Sequence, residues 1–431
     1  MAVNGDITAL CLRLLKEAGA SEAQCVLTET NKYDISALAG KMSLFRTVRN
    51  IELRMLAISG HRQGVVVVNS LNKDVLMQAA RRAVTAAEAS PRDAAYSVSE
   101  FQPKESFERG DQAHDPARMH FRLSEFIRET GRYPKLKLSW AGVDFVLEKK
   151  VFANSNGVYF SSSVGMYDFY VDFSSQAAEK SSSINFTYVS LKDLEKPLLK
   201  CGSISLLLKQ SGQSIGVKPI GAKFVGDIIV SPECMDGFLQ FITDQALRDS
   251  MAVSGTSVYR EKIGRKVAKK EFTLRSSPLD SEIPSGYFIT SDGYKAGDLA
   301  IIEKGLLKSF ILSRYGAAKT GLPRAASSGG CYVIEGGIKS YAEMVRGVKR
   351  GLLVTRFSSG GPNGAGDFSG VAKNSFYIED GKIKFPVSET MISGNIPAIL
   401  LSINGISKER INSGHSIYPW IVFSGITVSG K

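Results

Sequence analysis

The chain has 431 residues, of which 43% are hydrophobic and 22% charged, and its formal net charge at pH 7 is +12. This composition is that of a folded protein and excludes a largely disordered chain, a collagen-like repeat and a coiled coil. The longest apolar runs, such as residues 65–68, are far shorter than the roughly 20 residues that a membrane-spanning helix needs. Charged residues also interrupt any signal-peptide core near the N-terminus, so we expect a cytoplasmic protein without a membrane anchor.

The first part of the chain, residues 1–110, has the pattern of an α+β domain. Apolar periodicity predicts two helices and three strands. They cover residues 6–18 and 72–89, and residues 24–30, 51–59 and 64–69. Residues 89–115 carry Pro91, Pro103 and mixed charges, which indicate a linker or a surface connection.

The second part, residues 111–222, begins with a predicted helix and continues as a β-meander. The helix covers residues 116–130, and alternating apolar residues then extend over 135–173. The run 154–157, Asn-Ser-Asn-Gly, predicts a hairpin turn because Asn and Gly tolerate positive φ.

The third part, residues 223–431, is predicted to be a β-rich domain. It opens with a strand over residues 224–230, and Pro232 begins a helix that runs to about Arg248. Two hairpins follow, over residues 299–310 and 376–386. We therefore predict an α+β fold with a β-rich C-terminal domain.

The residues that carry chemistry are sparse. The four histidines form no HExxH motif, and the five cysteines are scattered without a CxxC pair. No complete phosphate-binding motif and no G-x-S-x-G is present. Ser70-Leu-Asn-Lys73 and Lys319-Thr-Gly321 match motifs of penicillin-binding enzymes, but the more than 200 residues between them indicate a coincidence. Composition and motif spacing alone therefore do not identify a catalytic centre.

Five short motifs nevertheless occur in order in the C-terminal part. They cover residues 301–310, 315–321 with 328–330, 366–369, 378–383 with 386–387, and 393–396. In this order they resemble the TldD/PmbA family, specifically its PmbA (TldE) branch. The resemblance implies an N-terminal α+β region, a β-rich C-terminal domain and a dimeric, cytosolic proteolytic system that acts on unfolded or short peptides. In that family the TldD-type subunit binds zinc through HExxxH and a late cysteine, and the glutamate would deprotonate a zinc-bound water.

This chain departs from the zinc motif at the matching positions. The resemblance aligns HExxxH with residues 240–245, where Gln240 and Gln245 replace the histidines and Phe241 replaces the glutamate. An amide is a poor zinc ligand and a phenyl ring cannot act as a base. We therefore expect no catalytic residue and no metal in this chain, with zinc only in a TldD-like partner.

The resulting hypothesis is a non-catalytic subunit that forms a heterodimer with a TldD-like chain, or a homodimer. Strand addition could hold an extended peptide in a groove lined by residues 360–370 and 393–395. The groove residues are Gly364, Gly366, Asp367, Ser369, Ser393, Gly394 and Asn395. These loops could equally be tight turns of a β domain.

Two alternatives remain open at this stage. The net charge, the basic stretch from Arg260 to Arg275 and the family's older description as a DNA gyrase modulator suggest association with nucleic acid. An independent hydrolase could instead use a serine or Cys331 as its nucleophile.

Overall fold

The computed structural model describes residues 2–359, 361–388 and 390–430. It combines two large β-sheets with helices, which confirms the predicted α+β class. The strands of the first sheet are β1 (Glu22–Leu38), β2 (Lys41–Ser59), β3 (Arg62–Val68), β4 (Glu105–Arg109), β5 (Leu136–Asn154), β6 (Tyr159–Ala177), β7 (Lys180–Ser181) and β8 (Asn185–Leu191). The sheet runs in the order β3-β2-β1-β5-β6-β4, and β7 and β8 also pair with β6.

Helices cover one face of this first sheet. They are α1 (Ala2–Glu17), α2 (Lys73–Ala89), α3 (Pro116–Thr130) and α4 (Ile204–Gln213). Cys25 and Leu27 of β1 are buried under α1 and α2, while Ile35 and Ala37 are buried in a core with α3 and α4. Because side chains alternate along a strand, these odd-numbered residues share one face and Asp34 lies on the other.

The second sheet contains the remaining strands. They are β9 (Phe224–Val230), β10 (Leu274–Ser276), β11 (Leu299–Glu303), β12 (Leu306–Leu307), β13 (Tyr332–Ile334), β14 (Arg350–Val354), β15 (Arg356–Ser359), β16 (Asp367–Lys373), β17 (Phe376–Glu379), β18 (Lys382–Pro386), β19 (Thr390–Asn395), β20 (Ile403–Asn412) and β21 (Ile417–Ser429). The main path is β12-β11-β10-β13-β21-β9-β14-β17-β18. Strand β21 is its centre, because it pairs with β9, β13, β19 and β20.

Short helices connect these strands. They are α5 (Met235–Gln240), a π-helix (Phe241–Ala246), α6 (Asp249–Val253), α7 (Arg314–Thr320), α8 (Tyr341–Gly347) and α9 (Ile396–Leu401). The main core of this half contains side chains from β9, α5, the π-helix and β21. Within the described residues, every helix is too short or too polar to cross a membrane.

Most predicted elements are present, but three differ. Strands β1 and β2 form a far longer ribbon than predicted, which turns at Ala39-Gly40 with positive φ. The predicted linker over residues 89–115 contains β4, which pairs in parallel with β6. The single helix predicted from Pro232 to Arg248 is wrong in detail, because a 3₁₀ turn, α5 and the π-helix replace it. The division of the chain at residues 110 and 222 stays a prediction.

Candidate functional site

The helical segment that contains the positions aligned with the zinc motif follows β9 in the chain. It lies partly in the core of the second sheet. Its inward side chains are Met235, Phe238, Leu239, Phe241, Ile242 and Ala246. Its last turn is widened, because the backbone N–H of Leu247 donates to the carbonyl of Ile242, five residues earlier, at 3.1 Å. Arg248 stabilises the same end by donating from Nε to the Thr243 carbonyl at 2.6 Å.

The widened turn changes which residues share a face. In an α-helix, residues five apart point about 140° away from each other, because each residue turns by about 100°. In a π-helix the bonds run between residues five apart, so those residues lie much closer to one face. Gln240 and Gln245 have this spacing, and both are half-buried. The backbone is therefore suited to two ligands in the HExxxH pattern.

The side chains on that backbone do not fit zinc. Gln240 and Gln245 offer amides, which bind Zn²⁺ poorly. Phe241 is fully buried, and a Cβ at Gly366 would approach its ring to 2.9 Å. Across residues 2–359, 361–388 and 390–430, no three His, Cys, Asp or Glu side chains gather as a metal-ion site would require.

The structure brings the predicted groove residues together on two paired strands. Asp367, Phe368 and Ser369 of β16 lie opposite Asn395, Gly394 and Ser393 of β19. Gly364 and Gly366 belong to the turn that precedes β16, and Gly360 lies outside the described residues.

Side-chain hydrogen bonds close this turn. Asn395 donates from Nδ2 to Asp367 Oδ1 at 2.9 Å, and Asn363 donates to Asp367 Oδ2 at 3.1 Å. These bonds hold the pKa of Asp367 below its usual value. Because the bonds are internal to the turn, they are compatible with a structural role, and peptide binding by these residues stays a prediction.

The position of β15 was not predicted from the sequence. In the described parts of the chain, β15 pairs with β16 alone as a strand, and its other edge lies against the 3₁₀ turn Pro232–Cys234, where the Phe357 backbone N–H donates to the Cys234 thiol sulfur. The rings of Phe357 and Phe238 are 5.1 Å apart, which places β15 against α5. A Cβ at Gly361, just beyond β15, would lie 3.9 Å from Gln240 Nε2. The only signal in the sequence was the short run Arg-Phe-Ser-Ser before two glycines.

Aromatic side chains of the first sheet lie near β15. Phe186 and Tyr188 of β8 are 56% and 43% exposed, although both are large and apolar. The Arg356 guanidinium of β15 lies 3.3 Å from the centre of the Phe186 ring. Tyr170 lies opposite Tyr188 on the neighbouring strand and stacks on Trp140 at 3.7 Å. The first sheet therefore contacts β15 of the second sheet through the Phe186 ring.

A row of carboxylates runs across the same face of the first sheet. Asp34, Asp144 and Asp168 lie directly opposite one another on β1, β5 and β6. Arg46 pairs with Asp34 at 2.8 Å, and Lys32 pairs with Asp144. Burial, opposed in part by Lys32 and reinforced by Asp34, raises the pKa of Asp144 to about 6.

The variant Asp144→Asn is expected to reduce the pH dependence of stability. Because folding raises the pKa of Asp144 from 3.8 to about 6, the carboxyl stabilises the native state below pH 4, and this contribution is lost as pH rises through 6. An amide mimics the neutral carboxyl at every pH. Urea unfolding between pH 4 and 7.5 should therefore show the variant losing about 2 kcal/mol less stability than the wild type over this range. Asp193→Asn, at a half-buried position in the loop after β8, is the control, and an unchanged pH profile in Asp144→Asn would contradict the assignment.

Cys331 does not have the environment of a nucleophile. Its thiol is buried, and burial raises its pKa to about 11. The thiol therefore stays protonated at neutral pH, whereas nucleophilic cysteines react as thiolates. This environment argues against the alternative of a Cys331-dependent hydrolase.

Comparison with known proteins identifies the class of the C-terminal half. Residues 225–430 match the family described as PmbA/TldA metallopeptidase C-terminal domain. The "Metalloprotease PmbA" of Escherichia coli O157:H7 is 30% identical over 189 residues, which are 40% of this chain and 42% of that protein. A "Metalloprotease" of Methanothermobacter thermautotrophicus is 27% identical over 196 residues, which are 42% of this chain and 43% of that protein. The chain thus covers less than half the length of these relatives.

The fold similarity extends over the whole chain. TldE from Thermococcus kodakarensis has a TM-score of 0.83 at 19% identity, covering 98% of this chain and all of that one. A candidate modulator of DNA gyrase from Bacteroides thetaiotaomicron has a TM-score of 0.86 at 21% identity, with complete coverage of both chains. At these identities the likeness shows the fold. Residues 225–430 belong to the PmbA/TldD family, as the motifs in this part of the chain predicted.

Proposed function

We propose that this chain is a PmbA/TldE-like, non-catalytic subunit of a cytoplasmic zinc metallopeptidase whose metal is held by a TldD-like partner. The observation that carries the proposal is the π-helix. Its backbone suits two ligands five residues apart, but Gln240, Phe241 and Gln245 occupy the ligand and base positions. A scaffold that keeps this shape without zinc-binding side chains fits a subunit that completes a partner's substrate chamber.

The turn that precedes β16 supports a role in binding peptides. It lies next to the segment aligned with the zinc motif, because a Cβ at Gly361 would be 3.9 Å from Gln240 Nε2 and a Cβ at Gly366 would be 2.9 Å from the Phe241 ring. Unfolded or short peptides of varied sequence can be held through backbone donors and acceptors, which such a turn offers. A peptide bound here would lie beside the helix that carries the metal in a TldD-like subunit.

The β1–β2 ribbon supports the proposal of a dimer. Along β2, strand β3 pairs with residues 53–59, and in the part of the chain that the structure describes no strand pairs with this edge over residues 41–52. Several large apolar side chains at this end of the ribbon are exposed, namely Leu38, Met42, Leu44, Phe45 and Val48. Exposed apolar patches and long free strand edges are typical of protein interfaces. Either a TldD-like subunit or a second copy of the chain could bind to this part of the ribbon.

Metal analysis and a peptidase assay test the proposal. The purified chain should contain no stoichiometric zinc and should not cleave an unstructured reporter peptide, whereas a mixture with a TldD-like subunit should cleave it faster than that subunit alone. Phe45→Glu is the matched variant, because a charge on the exposed ribbon should prevent complex formation without disturbing the core. Stoichiometric zinc, or hydrolysis by the chain alone, would refute a non-catalytic role.

Association with nucleic acid remains the second candidate, and the basic stretch is the observation that favours it. Four basic side chains of this stretch are exposed, namely Arg260, Lys262, Arg265 and Lys266. The backbone of Lys266 forms an isolated β-bridge with Leu306, two residues after Lys304. Phosphate contacts weaken steeply with salt, by roughly 1,000-fold between 50 and 200 mM for six contacts. A gel shift at 50 mM salt that disappears at 200 mM and is lost in Arg265→Glu/Lys266→Glu would support this function. An unshifted duplex at 50 mM salt would eliminate it.

A further inference from the structure

A cavity of about 540 Å³ lies where α6, the end of α7 and the start of the basic stretch meet. Residues of α6 and of the turn that follows it form one wall, and Arg260, Glu261 and Ile263 form another. Phe310 and the residues at the end of α7 complete the lining. Cavities of roughly 300–1,000 Å³ that combine apolar walls with a few polar groups are typical of small-molecule sites.

Apolar side chains supply much of the lining. Phe310 is buried, Val253 and Leu322 are half-buried, and Ile263 is 39% exposed. Leu322 and Ala252 pack against the main core of the second sheet, so these walls are anchored to the fold. Contact with them would remove the apolar part of a ligand from water, which favours binding.

The guanidinium of Arg260 lies at the rim of this cavity. Its side chain is 67% exposed, and in the described parts of the chain its ion-pair partner is Glu261 alone, at 3.6 Å. Exposed pairs of this kind contribute little free energy, so Arg260 can bind another anion at small cost. A Cβ at Gly255 would lie 3.2 Å from Arg260 Nη1, which places the guanidinium against the turn that follows α6.

The other basic residue of the lining is already paired. Lys319 Nζ donates to Asp93 Oδ2 at 2.9 Å. Residues 260–266 nevertheless include four basic residues against one acidic residue, so the surroundings of the rim are positive. The charge distribution therefore favours a ligand with a single anionic group, placed at Arg260.

We propose that this cavity binds a small amphipathic carboxylate. The apolar body of the ligand would contact Phe310 and Leu322, and its carboxylate would accept hydrogen bonds from the Arg260 guanidinium. A free fatty acid and the apolar C-terminal residue of a peptide share this chemistry. The inference is independent of the proposed subunit role, because the positions aligned with the zinc motif do not line the cavity.

Displacement of a dansyl-labelled undecanoate, followed by its fluorescence, measures binding to the purified full-length chain. Octanoate should bind about five-fold more tightly than octanol, which has the same chain length but no charge. Butyrate, whose chain is shorter, should bind at least about ten-fold more weakly than octanoate, because it buries less apolar surface.

Variants at the rim separate the charge from the apolar contact. Arg260→Gln should abolish the preference for octanoate over octanol and leave the affinity for octanol unchanged. Ile263→Asp should weaken the binding of both ligands, because it puts a charge on an apolar wall. Lys270→Gln is the matched control, since Lys270 is an exposed base of the same stretch but does not line the cavity. It should keep the five-fold preference, and thermal unfolding checks that each variant is folded.

Acetyl-leucyl-phenylalanine and its C-terminal amide distinguish the two sources of the carboxylate. Tighter binding of this acid than of octanoate would identify a peptide C-terminus, and weaker binding would identify a fatty acid. Equal binding of octanoate and octanol, or a preference that survives Arg260→Gln, would overturn the site. Loss of the preference in Lys270→Gln as well would also overturn it, because it would show general attraction to the basic surface. None of these results would alter the proposed subunit role.

Discussion

Histidine at both position 240 and position 245 is expected to create a metal-binding site in this chain. The π-helix turns these positions toward one face, and imidazole is a good ligand for Zn²⁺ and Co²⁺. Both positions are half-buried, so a bound ion would be partly shielded from water. The double variant Gln240→His/Gln245→His should bind Co²⁺ at least about ten-fold more tightly than the wild type, as measured by titration of the visible absorption of the ion.

The control for this experiment uses a different spacing on the same segment. Gln240→His/Asp244→His places the two imidazoles four residues apart, which is the favourable spacing on a regular α-helix. On the π-helix the five-residue pair should bind more tightly. If the four-residue pair binds more tightly, the segment behaves as a regular α-helix and the geometric basis of the proposed function is lost.

Gly64→Ala is expected to be among the most destabilising single substitutions in the first sheet. Gly64 lies in β3, directly beneath α2. A Cβ at this position would come within 2.1 Å of the Ala83 carbonyl oxygen and 2.3 Å of the Ala87 nitrogen. These are backbone atoms of a helix, so the helix itself would have to move. We expect a loss of about 3 kcal/mol, seen as a lower midpoint of urea-induced unfolding.

Gly212→Ala is the opposite case and serves as the control. Gly212 is in α4, and a Cβ there would meet no atom within 4 Å. Alanine is the better helix former, so this variant should be more stable by about 0.5 kcal/mol. Similar unfolding midpoints for the two variants would show that α2 does not pack on β3 as described.

Elements with strong local signals could be predicted from the sequence. Helix α2 begins where Asn72 accepts a hydrogen bond from the Asp74 N–H. One face of this helix, made mainly of alanine with Leu76 and Val84, is buried against the sheet on every turn. The outer part of β2 has no such pattern, because residues 41–52 pair only with β1 within the described residues and nearly all of them are exposed on both faces. Strand β4 is only five residues long, and its pairing with β6 depends on residues more than 50 positions away.

The candidate site could be predicted only in part. Gln240, Phe241 and Gln245 were located through the family resemblance, but the π-helix was not expected, since it depends on how the segment packs and on the bond from Arg248 to Thr243. The Phe186 ring that contacts β15 belongs to β8, far earlier in the chain. This contact follows from the arrangement of the two sheets, which local sequence patterns do not encode.

The central position of β21 has a consequence for how the protein is made. Strands β9, β13, β19 and β20 all precede β21 in the chain, and each of them pairs with it. While the ribosome is still adding residues before Ile417, the second sheet lacks its middle strand, and apolar residues of β9 such as Ile228 and Val230 have no partner on that side. This half of the protein therefore cannot complete its sheet until β21 has been synthesised, and until then its unpaired apolar strands are prone to aggregate.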